Sequence, residues 1–169
     1  MALSNIIKNL RDGTLTILDN AGANTLTVAY EAGDFSFDIP GPGVSEYLDR
    51  GVHASPPSVR FNNDGVITGS FTANLRHLNS TTFISLEQIL LNSGYFASTW
   101  VGTLGSTGEV KLLTIRWTCE GTTHGDSADH ELELLYSRLS GSIKEGDPNV
   151  VTVNYTSFQN FPGNVDNVA

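Results

Sequence analysis

Apolar residues alternate with hydroxyl and amide residues along most of this chain, the period-two signature of strands that bury one face. Thr14–Leu18 and Thr25–Tyr30 flank the turn-forming stretch Asp19–Asn24 and read as a hairpin. Asp34–Ile39 places Phe35, Phe37 and Ile39 on one face and Ser36 and Asp38 on the other, before Pro40–Gly43 stops it. Short strand-like pieces follow at Glu46–Arg50 and Ser58–Phe61. Val66–Arg76 is a longer strand that lines up Thr68, Ser70, Thr72, Asn74 and Arg76 on one side. Three further strands are expected at Val110–Glu120, Asp129–Arg138 continuing through Ile143, and Asn149–Phe158.

The period changes once. Within Thr82–Asn92, Phe83, Leu86, Ile89 and Leu90 share one helical stripe, Ser80 or Thr81 caps the start and Gly94 ends it. One amphipathic helix must lie on a sheet. The expected fold is therefore mainly β: a β-sandwich or barrel of two antiparallel sheets with one flanking helix at about 82–92. A Gly- and Pro-punctuated arm spans about 40–64, and stretches of that kind do the contacting in many scaffolds. All 169 residues read as one domain without repeat or linker, ending in a polar tail at 159–169.

Composition sharpens this picture. Nine Lys and Arg against 18 Asp and Glu leave a net charge of −9, the wrong sign for a stable grip on a nucleic-acid backbone. Charged residues make up only 16% of the chain, below the roughly 25% usual for globular domains. Thr, Ser, Asn and Gly fill the gap, which suits a protein meant to assemble better than one kept dispersed by charge. The single cysteine, Cys119, makes no internal disulfide. The first ten residues lack the basic start and long apolar run of a secretory signal, and no segment approaches a membrane span. A soluble, unexported chain is expected.

Candidate chemistry is sparse. Cys119–Glu131 gathers His124, Asp126, Asp129, His130 and Glu131, but as a Gly-containing turn between strands, with His130 and Glu131 on opposite faces. It reads as a solvated loop rather than a metal site. No Gly-x-Ser-x-Gly elbow is present and the four histidines are scattered, so no catalytic residue, cofactor or metal is assigned and no enzyme is expected. Gly102–Gly108 lacks the Lys-Ser/Thr ending of a phosphate loop. Glu131 and Glu133 share one strand face and Leu132 and Leu134 the other.

The order of elements, with the phrases Asp12-Gly-Thr-Leu-Thr16, Asp34-Phe-Ser-Phe37, Tyr47-Leu-Asp-Arg-Gly51 and Gly65-Val-Ile-Thr-Gly-Ser-Phe-Thr72, resembles the tail tube proteins (major tail proteins) of tailed bacteriophages, from about Leu10 to about Phe158. The resemblance implies a structural virion protein, made in the host cytoplasm, whose homo-hexameric rings stack into a tube for DNA delivery. It also implies partners: a tape measure protein, a tail terminator and distal tail or baseplate proteins, with no membrane. A conduit must not hold its cargo. About 6–10 phosphate contacts already change affinity some 1,000- to 100,000-fold over a modest range of salt, so a polar, acidic lumen lets the duplex slide.

On this reading Glu131, Glu133, Thr114 and Thr118 are the lumen-facing candidates, with Thr68, Ser70, Thr72 and Asn74 as the competing set. The arm, with Tyr47, Asp49, Arg50 and Arg60, joins subunits, and a neighbouring subunit holds both the first ten residues and the tail. Two other functions fit the same sequence. One is the tube of a secretion or contractile-injection machine. The other is a monomeric β-sandwich that binds carbohydrate, for which Tyr95, Phe96 and Trp100 would have to be exposed.

Overall fold

The computed structural model describes residues 13–28, 34–40, 44–47, 58–61, 66–78, 80–101, 110–122, 128–158 and 164–168. Ten strands and two helices run in the order β1 (Gly13–Leu18), β2 (Thr25–Val28), β3 (Ser36–Asp38), β4 (Val44–Tyr47), β5 (Ser58–Phe61), β6 (Ile67–Asn74), α1 (Leu86–Leu91), α2 (Gly94–Thr99), β7 (Leu113–Cys119), β8 (Asp129–Lys144), β9 (Val150–Ser157) and β10 (Asn164–Val168). The mainly β expectation holds. Its two antiparallel sheets are very unequal: one has eight strands, ordered β2-β1-β7-β8-β9-β6-β3 with β10 also on β8, and the other is the ribbon β4-β5.

Alternation along the strands sets the core. Val151, Val153 and Tyr155 of β9 face inward with Ile67, Phe71 and Ala73 of β6, and with Leu15, Ile17, Ile115 and Leu134 from the strands beyond. Each fully buried aliphatic or aromatic side chain of this kind contributes about 1.5–3 kcal/mol. The sheet curls over this core until its far edge meets its middle. Phe35, just before β3, lies 6.0 Å from both the Trp117 ring of β7 and the Tyr155 ring of β9. Asp34 ties that edge down by accepting from the backbone N–H of Thr72 at 2.7 Å and from its hydroxyl.

At the other edge the β1–β2 turn closes on the buried Asp19. Its carboxylate accepts from the backbone of Ala23 (2.9 Å) and Asn24 (3.2 Å) and from the Asn24 amide (2.7 Å). Burial alone raises a carboxyl pKa, and these hydrogen bonds outweigh it and hold Asp19 below the ordinary value.

β8 is 16 residues long and serves two sets of neighbours. Its first half pairs with β7 on one side and β10 on the other, and its second half, from Ser137 to Lys144, pairs with β9. Between them the register shifts by one residue, with Tyr136 in the left-handed region at φ 52. This is a β-bulge. Two fully buried serines satisfy it: Ser137 donates to the Leu134 carbonyl at 2.9 Å and Ser157 to the Leu135 carbonyl at 2.6 Å.

The helical region departs from expectation. α1 begins at Leu86, not Thr82, because Ser85 is the cap: its hydroxyl accepts from Gln88 N and donates to the His77 carbonyl at 2.5 Å. Ser80 instead stabilises the turn ahead of it by accepting from the backbone of Thr82 and Phe83. Asn92, not Gly94, ends α1 in the left-handed conformation, and the Ser93 N–H returns to the Gln88 carbonyl. Gly94 opens a second helix, α2, which the sequence reading lacked. Lys111 holds the end of α2 by donating to the Phe96 and Ala97 carbonyls at 3.1 Å, and burial lowers the pKa of its ammonium.

The tail is a further correction. Residues 164–168 form β10 on the chain's own β8. Main-chain hydrogen bonds along an edge hold it, so it needs no apolar anchor and, over that stretch, no neighbouring subunit.

Gly69 marks the closest approach in the sheet. A Cβ there would overlap the Ser36 carbonyl oxygen and the Tyr155 hydroxyl, which donates to that same carbonyl at 2.7 Å. Gly69→Ala is therefore expected to destabilise the fold by at least about 1–3 kcal/mol. Urea denaturation would show it as a lower midpoint at constant slope, and an unchanged midpoint would mean that β3 is not seated on β6 as described.

Candidate functional site

Register partners share a face, so the outward surface of the large sheet can be followed strand by strand. Thr14 and Thr16 of β1 stand opposite Thr118 and Arg116 of β7, which stand opposite Glu131 and Glu133 of β8. Past the bulge the same face continues through Ser140 and Ser142 of β8, Asn154 and Thr152 of β9, Ser70 and Thr72 of β6, and Ser36 of β3. Hydroxyls and amides dominate it. Ser36 and Ser70 join their hydroxyls at 3.2 Å across the β3–β6 pair.

The two sets of lumen candidates therefore lie on one surface, not on alternative ones, except Asn74, whose side chain, its Oδ1 buried, lines a cleft beside β2. Without the bulge they would not. An unbroken alternation would carry Glu131 and Glu133 in phase with Ser137 and Leu139, whereas the extra residue puts them in phase with Arg138, Ser140 and Ser142. Thr118 is half-buried opposite Glu131, and Thr114 is buried opposite the bulge, leaving little hydroxyl surface.

The acidic pair is not bare. Arg116 sits between the two carboxylates, its Nε 2.9 Å from Glu133 Oε1 and 3.1 Å from Glu131 Oε1. The Glu133 hydrogen bond, helped by both negative charges, raises the guanidinium pKa further above its ordinary value despite partial burial. The sequence places Arg116 on this strand but gives it no role, because its position opposite the two same-face glutamates is set by the pairing of β7 with β8. Across the described face Arg116, Arg138 and Lys144 stand against Asp38, Asp129, Glu131 and Glu133, with Asp166 of β10 in register opposite Glu131, so the surface is mildly acidic.

The arm candidates separate from this surface. β4 and β5 pair with each other and not with the large sheet, setting Tyr47 opposite Ser58 and Arg60 opposite Ser45. Asp49 and Arg50 lie outside the described residues, as do the first ten residues, His124 and Asp126. Asp129, from the same acidic segment, accepts from the backbone of Gly121 and Thr122, and no group of His, Cys, Asp or Glu suited to a metal occurs among the described residues. The aromatic cluster a carbohydrate module would need is internal: Phe96 and Trp100 are both 3% exposed. Their side chains face the core because α2 turns them onto the sheet, which overturns that reading.

A scan against protein-family models finds no match, and a search of curated proteins finds none either. Among solved structures the chain is similar to one chain of the anti-feeding prophage (AFP) baseplate, a 6-fold symmetrised cryo-EM structure. The TM-score is 0.56 at 9% sequence identity, and the alignment covers 100% of this chain and 98% of that one. The two share a fold over their whole length. No helix among the described residues is long and apolar enough to cross a membrane.

Replacing Arg116 by Gln leaves two carboxylates side by side without their cation. The guanidinium is 37% exposed, so solvent screening limits the loss to about 1 kcal/mol near neutral pH. Salt screens the repulsion between the two carboxylates, so the deficit should shrink as ionic strength rises. Thermal unfolding of both proteins at several salt concentrations checks this; a deficit independent of salt would mean that Arg116 acts through packing alone.

Proposed function

We propose that this chain is a structural, non-enzymatic subunit of a phage-tail-like particle, assembling with copies of itself into stacked six-membered rings that form a tube. The observation that carries the reading is the continuous outer face of hydroxyls and amides, mildly acidic and spanning at least six strands. Such a face neither holds phosphates as a basic surface would nor buries itself as an apolar one would. It suits the wall of a conduit. The full-length likeness to a chain of a 6-fold symmetrised baseplate supports a place in a particle of this kind.

The lumen of this proposal is hydroxyl-rich and charge-compensated, because Arg116 neutralises much of the Glu131–Glu133 pair. The sheet edge at β3 is the surface through which rings close, since an unpaired edge left open invites uncontrolled pairing. The arm at 40–64, with Tyr47, Asp49, Arg50 and Arg60, contacts the next ring. Partners by the same reading are a tape measure protein, a tail terminator and distal tail or baseplate proteins. DNA transits without specific binding, and the particle's tail is the protein's location. A second reading, a baseplate or tube subunit of a contractile-injection machine, is favoured by the baseplate origin of the structural neighbour.

Electron microscopy with light scattering over a concentration series tests the assembly. Rings or tubes of six-fold symmetry are expected. A monomer at every concentration, also after addition of an initiator complex, would remove the tube reading. The lumen assignment has its own test: Ser70→Lys with Asn154→Lys should leave assembly intact yet make tubes retain duplex DNA. That retention should weaken with salt at a log–log slope of about −0.9 per phosphate contacted. Unaltered passage would take this face out of the lumen.

A further inference from the structure

A cleft of about 400 Å³ opens beside β2, away from the polar face, between β2, the end of β6 and residues 76–87. Its walls are mostly apolar: Leu26 and Val28 on the strand side, Phe83, Ile84 and Leu86 on the other. Two polar residues at its floor stand out. Glu87 is 1% exposed; its Oε1 accepts the Arg76 backbone N–H at 2.7 Å, while its Oε2 has no hydrogen-bond donor among the described residues. Asn74 also lines the cleft, and its buried Oδ1 has no donor either.

A carboxylate out of water with half its acceptor capacity unused is costly, and the cost is offset only when a donor, best a cation, arrives. The second observation lies next to it. β2 ends the large sheet and pairs only with β1 among the described residues, so one side of Thr25–Val28 offers main-chain donors and acceptors. An added strand supplies main-chain hydrogen bonds along such an edge, and its alternate side chains fill adjoining pockets.

We propose that the cleft receives one Lys or Arg side chain from an extended segment of another protein, laid as an added strand along the free edge of β2. The stem of that side chain runs along Leu26 and Phe83, and its charged head reaches Glu87 and Asn74. Arg76 and His77 also line the cleft and are themselves exposed, so negative charge is confined to the floor, and the segment brings a single cation, not a basic run. Another protein is the better source than a second copy. Two copies each carry −9; of the described cations Lys111 and Arg116 are already engaged, Arg76 belongs to the cleft, and Arg138 and Lys144 sit on β8 where it is already paired along β9. This inference does not rest on the tube reading.

The probes are acetyl-Thr-Val-Lys-Val-Thr-amide and the same peptide with norleucine, the uncharged analogue, in place of Lys, added to the full chain and followed by NMR. The Lys peptide should shift the amides of Thr25–Val28 and Glu87 and bind about 10-fold more tightly than the norleucine peptide. Glu87→Gln should abolish that preference. Equal binding of the two peptides, or no shift at these amides, overturns the proposal. Should the variant not fold, the comparison on the unaltered protein still decides. Sedimentation on the same samples checks the source: self-association that the Lys peptide displaces, with shifts at the same amides, would assign the edge to a second copy and overturn the choice of partner.

Discussion

The one-residue bulge in β8 is the constraint on which the rest of the sheet depends. Among the described residues β8 alone joins both halves of the sheet: β7 and β10 through its first part, β9 through its second. Holding Tyr136 at positive φ costs about 1–3 kcal/mol. It persists because Ser137 and Ser157, both fully buried, supply donors to the Leu134 and Leu135 carbonyls that the extra residue turns away from the ladder. Replacing either serine by an apolar residue would remove its hydrogen bond across the bulge.

What the bulge achieves is coherence of face. Leu132 and Leu134 before it, and Leu139 after it, all point to the core, although strict alternation would send one group outward. In consequence the acidic pair, the serines of the second half of β8 and the threonines of β6 share one outer surface. The curl of the sheet, closed by Phe35 against Trp117 and Tyr155, then gives that surface its shape. A residue's meaning for function follows from this. Glu131 and Glu133 look like free acid along their own strand, and only the pairing of β8 with β7 sets Arg116 between them.

Local patterning was a good guide where one strand or one turn decides the outcome. Phe35 and Phe37 opposite Ser36, the β1–β2 hairpin around Asp19, and the inward set of β9 were all legible from alternation and turn residues. It misled where several donors compete. Ser80, Thr81 and Ser85 are all plausible caps, and Ser85 is used because its hydroxyl also reaches the His77 carbonyl, a contact made across a turn. α2 lies beyond the predicted stretch 82–92 and starts after Asn92 turns the chain left-handed. The tail, too polar to dock by burial, is held by the unpaired edge of β8 instead.

By itself the sequence determined the class of structure: strands from period-two alternation, one amphipathic helical stretch, and a surface with few charges and many hydroxyls. These are properties of single segments, set by each residue's own transfer energy and backbone preference. The tertiary structure decided which strands are neighbours, where the register slips, which carboxylates are neutralised and which, like Glu87, are left buried with an oxygen unpaired. Those outcomes depend on pairings between residues far apart in the chain. A strand carries its own alternation but no record of its partner, and here one extra residue in β8, set by its pairing with β7, is enough to reverse the face that alternation predicts.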